Sequence, residues 1–98
     1  MNWRSFEYVV ALKQTGSLHA AAERCNATPG TVSAQITRLE GYLGVRLFEQ
    51  RRAPAEPTVE GAPLLALIES AVLQIHRVRS AARDIRARRC RSTVFEQV

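Results

Sequence analysis

One segment of this 98-residue chain, Ser17 to Glu40, limits the possible folds more than any other. It contains two runs in which apolar residues recur at the spacing of one helical face. The first run consists of Leu18, Ala21, Ala22 and Cys25, and the second of Val32, Ile36, Leu39 and Leu43. Ser17 is a suitable N-cap for the first helix and Thr28 for the second, and Pro29 can occupy the first helical position without losing a hydrogen bond. Two short helices with so few residues between them predict a helix-turn-helix.

The outward face of the second helix is small, partly polar and free of acidic side chains. At about 100° per residue, the side opposite its apolar stripe holds Gly30, Thr31, Ala34, Thr37 and Arg38, with Ser33 on the flank. Such a face can enter the major groove of DNA without repelling the phosphates. The alternative is a helix face that contacts only solvent, since many two-helix turns bind nothing.

The charge of the chain is compatible with a nucleic-acid partner but does not require one. The formal net charge is +5, and all but one of the 14 cationic residues are arginine. Arginine forms bidentate contacts with phosphate and with guanine that lysine cannot form. Membrane surfaces and acidic proteins also attract a basic chain.

Several other classes of function find no support in the residues. His19 and His76 have no metal-ligand partners at a suitable spacing, so we expect no metal or other cofactor. No catalytic arrangement and no glycine-rich phosphate loop indicates an enzyme. Cys25 and Cys90 do not form a disulfide framework, because the first lies on an apolar helix face and the second in an arginine-rich tail. With no signal peptide and no membrane-spanning run, we expect a cytoplasmic, nucleoid-associated protein.

The residues before the helix-turn-helix predict a helix over residues 3–15 that Gly16 ends. This helix has two apolar stripes on different sides. One stripe holds Trp3, Phe6, Val9 and Val10, and the other holds Tyr8 and Leu12. A helix with two apolar faces must contact two things, which we expect to be the helix-turn-helix and the C-terminal half of the chain.

The residues after the helix-turn-helix predict a wing of two short strands. Residues 45–49 form the first candidate strand, and residues 56–59 a weaker return strand, because Pro57 cannot donate to the ladder. Arg51 and Arg52 lie at the tip, where arginine is favoured near a narrow minor groove. The alternative is a pair of solvated arginines on a loop.

A long helix follows, with a seam of apolar residues spaced alternately by four and three. The seam consists of Leu64, Ile68, Ala71, Ile75, Val78, Ala82 and Ile85. This heptad pattern predicts a coiled coil, and a helix about 33 Å long at 1.5 Å per residue is too long for this small domain to cover. We therefore expect a homodimer, with packing against its own domain as the alternative. Leu65 and Val72 form a second stripe that could pack on the first helix.

From about residue 1 to residue 89, the chain resembles the N-terminal DNA-binding region of LysR-type transcriptional regulators. The resemblance rests on the blocks GSLHAAAERC, TPGTVSAQITRLE, LGVRLFE and TVEGAPLL. It implies a winged helix-turn-helix and a linker helix that pairs antiparallel in a dimer. It also implies an interrupted palindromic promoter site. The start, MNWRSFEYVVAL, and Cys25 are similar to the hydrogen-peroxide-sensing branch.

The outward face and the resemblance together define a predicted DNA-binding set. The set is Ser17, Thr28, Pro29, Gly30, Thr31, Ser33, Ala34, Thr37, Arg38, Arg51 and Arg52. The resemblance implies that Thr28, Ser33 and Arg38 contact phosphates. It also implies that Arg51 or Arg52 approaches the minor groove.

The chain departs from the family pattern at three positions. Ala34 stands where many members have arginine, and Gln50 replaces the usual wing arginine. Pro63 falls within the first turns of the linker helix, where it would remove a hydrogen bond if Thr58 were the cap. The helix would otherwise start later, with Ala62 as cap and Pro63 as its first residue.

These observations predict a mainly α protein. Residues 1–60 form the winged helix-turn-helix, residues 61–90 the linker helix and residues 91–98 a frayed tail. The effector domain of LysR-type regulators, about 200 residues long, would be absent. The predicted function is sequence-specific DNA binding as a homodimer, with thymine methyl groups and DNA shape carrying much of the specificity. The alternative is an interaction module that heterodimerises through its long helix and modulates a full-length regulator.

Overall fold

The computed structural model describes the backbone of residues 2–97 and the side chains of residues 2–90. Its elements are α1 (Trp3–Thr15), α2 (Leu18–Cys25), α3 (Pro29–Leu43), β1 (Phe48–Gln50), β2 (Glu56–Pro57) and α4 (Ala62–Gln97). The two strands form one antiparallel sheet. The mainly α winged helix-turn-helix with a long final helix, as predicted from the sequence, is therefore confirmed.

The joints between the first three helices are fixed by their caps. Gly16 ends α1 with a φ of 78°, and its N–H donates to the carbonyl oxygen of Leu12 at 2.8 Å. Glycine suits this left-handed conformation because it has no Cβ. Ser17 then caps the start of α2, with its hydroxyl oxygen accepting the N–H of Ala20 at 2.9 Å. Asn26 ends α2 in the left-handed region, with a φ of 57°.

The hydrophobic core lies where α1 meets the other three helices. Its largest fully buried side chains are Phe48, Leu12, Ile36, Leu39, Leu47, Leu65, Val9 and Val32. α4 contributes Leu65, Ile68 and Val72, all of them buried. Because α1 packs on α2, α3 and α4, the predicted contacts of this helix with two sides of the molecule are confirmed.

Polar contacts continue the packing of α4 on α1 beyond the core. Lys13 on α1 pairs with Glu69 on α4. The guanidinium of Arg79 lies 4.0 Å from the centroid of the Trp3 ring, close enough for a cation–π interaction. These contacts orient the long helix relative to the winged domain.

The wing differs from its prediction at the start of its first strand. β1 begins at Phe48 and not at Val45. The N–H groups of Leu47 and Phe48 donate to Oε2 of Glu40, at 2.7 and 3.3 Å, so this segment is bonded to a helix side chain. Phe48 pairs with Pro57, and β2 has only two residues.

The start of α4 is built around a buried threonine. The Thr58 hydroxyl donates to the carbonyl oxygen of Arg46 at 2.6 Å and accepts the N–H of Gly61 at 2.8 Å. The N–H of Ala62 also donates to the carbonyl oxygen of Thr58 at 3.1 Å, so Thr58 caps this turn, while the regular helix begins at Ala62. Pro63 is the second residue of the helix and cannot donate the next bond of this kind. Each of the two predicted starts therefore holds in part, since Thr58 is the cap and the helix proper starts later.

Gly61 packs closely against the wing at this junction. A Cβ atom at this position would lie 2.5 Å from Oγ1 of Thr58, 2.8 Å from the carbonyl oxygen of Arg46 and 2.9 Å from Cα of Leu47. Only glycine fits such a space without a shift of the backbone.

Two predictions for α4 are affected by the structure. Ile68 is only 6% exposed within a single chain, because it packs into the core beside α1. Ile68 is therefore largely covered before any partner helix is present, and its place in the dimer seam stays a prediction. The frayed tail predicted for residues 91–98 lies outside the residues whose side chains are described, and stays a prediction.

Candidate nucleic-acid interface

The second helix of the helix-turn-helix, α3, presents its N-terminal end to solvent. The Thr28 hydroxyl oxygen accepts the N–H of Thr31 at 3.2 Å, and the hydroxyl itself donates to Oγ1 of Thr31 at 2.9 Å. Pro29 follows as the first residue of the helix. This cap sets where the helix starts, while the buried Val32 and Ile36 set which face turns outward.

The outward face has the composition that the sequence predicted. Gly30, Thr31, Ala34, Thr37 and Arg38 are all exposed. A Cβ at Gly30 would meet no atom within 4 Å, so the tip of the helix is open. Ser17, Pro29 and Ser33 are half-buried at the margin of this face.

Arg51 of the wing is bound to α3. One nitrogen of its guanidinium, Nη1, donates to the carbonyl and hydroxyl oxygens of Ser33, both at 3.0 Å, and to Oγ1 of Thr37 at 2.7 Å. The other, Nη2, pairs with Oε1 of Glu40. The structure therefore separates the two wing arginines, since Arg52 is exposed.

The loop that carries Arg52 is held by hydrogen bonds to its backbone at both ends. The Gln50 amide donates to the carbonyl oxygens of Arg52 and Pro54, each at 3.2 Å. Ala55 then donates its N–H to the carbonyl oxygen of Gly16 at 2.8 Å, which ties the wing to the joint between α1 and α2. The peptide bond before Pro54 is cis.

Sequence reasoning missed the role of Glu40. This half-buried acid stands near the end of α3 and bonds both the start of β1 and Arg51. One signal for this role was available in the sequence. Glu40 is an acidic residue that follows the acid-free face of α3 and precedes the two wing arginines, with which it could pair. A helical wheel could not reveal the contact, because it depends on where the wing folds back.

Positive charge is unevenly distributed along the chain. Residues 1–60 contain seven cationic and six acidic residues, whereas residues 61–98 contain seven cationic and three acidic ones. The winged domain is thus nearly neutral. Any attraction of this domain to DNA must come from the placement of a few cations, such as Arg38 and Arg52, and not from bulk charge.

A concave surface lies between α1, the end of α2 and α4, with a volume of about 600 Å³. Cys25 lines it, with Sγ 4.0 Å from the carbonyl oxygen of Glu7. Burial raises the pKa of the Cys25 thiol, and the Glu7 carboxylate adds to that effect. On the rim, the hydrogen bond from Lys13 lowers the pKa of Glu69. Among the described residues, no group of three or more His, Cys, Asp or Glu side chains could hold a metal ion.

The long helix exposes apolar residues where it leaves the domain. Val78 is 67% exposed and Ile85 46%, while Leu64, Ala71, Ile75 and Ala82 are partly exposed or half-buried. Leu67, which was not included in the predicted seam, is 66% exposed on the same side of α4. The signal for it was available, since Leu67 lies three residues after Leu64 and four before Ala71. No helix in the described part of the chain is long and apolar enough to cross a membrane.

The sequence matches the model of a known protein family. Residues 3–62 match "Bacterial regulatory helix-turn-helix protein, lysR family". The chain is 34% identical over 86 residues to the transcriptional activator protein LysR of Escherichia coli, a match that covers 88% of this chain and 28% of that protein. It is 33% identical to the Mau operon transcriptional activator of Paracoccus denitrificans, covering 88% of this chain and 33% of the relative. The chain thus spans about a third or less of these relatives. Both are transcriptional activators, which agrees with the prediction that this chain is not an enzyme.

Solved structures show the same fold. The DNA complex of the CbnR DNA-binding domain superposes with a TM-score of 0.73 at 28% identity, covering 85% of this chain and 95% of that one. The BenM DNA-binding domain bound to catB site 1 DNA gives a TM-score of 0.78 at 26% identity, covering 89% and 94%. Full-length OxyR C199D from Pseudomonas aeruginosa gives 0.77 at 30% identity, covering 84% of this chain and 28% of that one. Two of these three structures contain DNA on the matching domain.

Proposed function

Because the chain belongs to the lysR family of bacterial regulatory helix-turn-helix proteins, we propose that it binds a palindromic promoter site as a homodimer and regulates transcription there. The observation that carries the proposal is the capped end of α3, whose exposed face is small, partly polar and free of acids. The relatives of known structure include domains bound to DNA, which supports the same function here. Such a protein works in the cytoplasm, at the nucleoid.

The predicted DNA-binding set divides by chemistry. Thr28, Ser33 and Arg38 contact phosphates and set the register of the domain on the duplex. Gly30 and Ala34 approach base edges at the tip of α3. Because neither has a side chain that can form a bidentate hydrogen bond to a base, contacts with thymine methyl groups and DNA shape carry much of the specificity.

The remaining members of the set lie around this tip. Pro29 and Thr31 complete the first turn of α3, and Thr37 lies one turn after Ser33 on the same helix. Ser17 lies at the start of α2 and supplies a polar group at the margin of the surface. The wing contributes Arg51 or Arg52 on the other side of α3.

The homodimer rests on the apolar face of α4. Six residues of the predicted seam are not buried within a single chain, and Leu67 joins them in place of the buried Ile68. The six are Leu64, Ala71, Ile75, Val78, Ala82 and Ile85. An exposed apolar stripe of this length is typical of a surface that pairs with another helix. Two copies joined in this way would hold two α3 helices at a fixed separation, one for each half-site.

The test begins with selection of duplexes from a random pool by the 98-residue chain. We expect the enriched duplexes to contain two inverted half-sites. Val78→Asp should abolish the dimer and weaken binding, as measured by sedimentation and fluorescence anisotropy. Leu73→Asp is the matched control, because Leu73 is 50% exposed but lies on another face of α4.

Two results would contradict the proposal. Enriched duplexes with a single half-site, bound by a monomer, would refute the palindromic site. A chain that dimerises but enriches no duplex would refute DNA binding. That second result would favour the interaction module that pairs with a full-length regulator.

A further inference from the structure

The contacts of Arg51 differ from those expected of an arginine that binds DNA. Its guanidinium is bonded to four oxygen atoms of α3, which belong to Ser33, Thr37 and Glu40. The side chain of Arg51 is 23% exposed and that of Glu40 12%. To reach a phosphate or the minor groove, Arg51 would have to leave these bonds and strand a largely buried carboxylate, which is unfavourable.

We propose that Arg51 is a positioning residue that fixes the wing to α3, the recognition helix, and that Arg52 is the wing arginine that contacts DNA. The bonds of Arg51 and Glu40 that join the wing to α3 are called the wing lock below. The inference rests on the proposed function and deepens it, because it assigns separate roles to the two wing arginines. The planar guanidinium suits the first role, since its N–H groups point in fixed directions and can bind several acceptors at once.

Glu40 completes the lock. Its Oε1 atom pairs with Arg51, and its Oε2 atom accepts the N–H groups of Leu47 and Phe48. One carboxylate therefore holds both the beginning of β1 and the residue that follows this strand. Because α3 carries this carboxylate near its C-terminal end, the wing and the recognition helix move as one body.

The lock also sets the hydrogen-bonding direction of Ser33. The Ser33 hydroxyl oxygen accepts a bond from Arg51, so the hydroxyl hydrogen is free to donate to an acceptor on DNA. The Thr37 hydroxyl also accepts from Arg51 and donates to the carbonyl oxygen of Ser33. Arg51 thereby prepares Ser33 as a donor to a phosphate oxygen.

The wing lock can be tested first without DNA. Hydrogen exchange of the backbone amides of residues 47–57 is measured for the wild-type chain, Arg51→Ala, Glu40→Gln and Arg52→Ala. We expect exchange about ten-fold faster in the first two variants, because each removes a charged hydrogen-bond partner. Arg52→Ala is the matched control and should exchange like the wild type. Equal exchange in all four proteins would overturn the lock.

DNA binding then separates a positioning role from a phosphate contact. The probe is one duplex selected by the wild-type chain, and the dissociation constant is measured over a range of salt. Arg52→Ala should weaken binding and reduce the slope of log K against log salt by about 0.9, the value for one phosphate contact. Arg51→Ala should weaken binding about ten-fold with the slope unchanged, since its charge is already paired with Glu40.

Two conservative variants give the sharpest contrast. Glu40→Gln removes a negative charge near DNA, which by simple electrostatics would strengthen binding, whereas loss of the lock should weaken it. Arg51→Lys keeps the charge but cannot span the same oxygens, so it should bind as weakly as Arg51→Ala. If Arg51→Ala does not fold, these two variants carry the test.

Each failure has its own signature. Rescue by Arg51→Lys, or stronger binding by Glu40→Gln, would overturn the positioning role and make Arg51 a DNA contact. If the wild-type chain selects no duplex while both lock variants still exchange faster, the proposed function fails and the wing lock stands.

Discussion

Two glycines of α3 allow stability and DNA binding to be separated by a single methyl group. Gly30 is the second residue of the helix, and Gly41 lies near its end. Both are exposed, and a Cβ at either position would meet no atom within 4 Å. They differ in place, because Gly41 lies about 16 Å further along the helix at 1.5 Å per residue.

The structure sets the expected effect on stability. Replacing an open helical glycine by alanine stabilises a helix by about 0.5–1 kcal/mol, and less in the first turn. For a domain of this size, 1 kcal/mol corresponds to about 4–8 °C in Tm. Gly41→Ala should therefore raise Tm by about 2–8 °C, and Gly30→Ala by less. Circular dichroism at one protein concentration measures both, since the proposed dimer would make Tm depend on concentration.

The effect on DNA binding should be opposite at the tip. An extra methyl at Gly30 would fill space between α3 and the base edges, and overpacking of a closely fitted surface costs about 1–3 kcal/mol. The affinity of Gly30→Ala for a duplex selected by the wild type should fall about 5- to 150-fold. Gly41→Ala should bind that duplex like the wild type.

Either of two results would refute this reasoning. Undiminished binding by Gly30→Ala would mean that the tip of α3 does not approach the bases closely. A lower Tm for Gly41→Ala would mean that the open space described around this position is not available to a methyl group.

Three further experiments test other parts of the molecule. Gly61→Ala should destabilise the fold by about 1–3 kcal/mol in urea unfolding, because its methyl overlaps three neighbouring atoms; unchanged stability would contradict the packing. Iodoacetamide should modify the exposed Cys90 well before Cys25, because partial burial and a raised pKa lower the thiolate fraction of Cys25. Mass spectrometry measures both rates, and equal rates would contradict this order. The lowered pKa of Glu69 gives stability that is present above about pH 4.3 and is lost as pH falls through the lowered value. Glu69→Gln and Lys13→Met should each make the free energy of unfolding depend less on pH in this range. Variants whose acid titrations match the wild type would show that the Lys13–Glu69 pair does not contribute to stability.

The sequence predicted the elements that depend on local chemistry. Caps such as Ser17, Thr28 and Gly16 act within a few residues of themselves, so the bounds of the first three helices could be predicted. The exposed face of α3 followed from helical periodicity, because a single apolar stripe determines which side is outward. The order of helices, wing and long helix followed from the same local patterns. The family resemblance added the antiparallel pairing and the palindromic site as expectations. The leaning to the peroxide-sensing branch stays a prediction.

The features that sequence reasoning missed depend on contacts between distant segments. Nothing local to Arg51 indicates that its guanidinium reaches α3, because the contact requires the wing to fold back on Glu40. Ile68 satisfied the alternating spacing of four and three, whereas Leu67 does not continue that alternation to Ala71 and Ile75. The burial of Ile68 depends on how α1 packs against α4, so periodicity alone could not predict it.

The close packing at Gly61 has a geometric consequence for the proposed dimer on DNA. The helix from this junction to Ile85 is about 36 Å long at 1.5 Å per residue, so it acts as a lever. An angular error of 5° at its base would move the far end by about 3 Å, close to the rise of about 3.4 Å along the DNA axis for each phosphate of one strand. Angular stiffness where α4 leaves the wing would therefore decide whether two half-sites are met in the correct register. We expect Gly61 to supply this stiffness, because its close contacts with Thr58, Arg46 and Leu47 leave no room for movement at the junction.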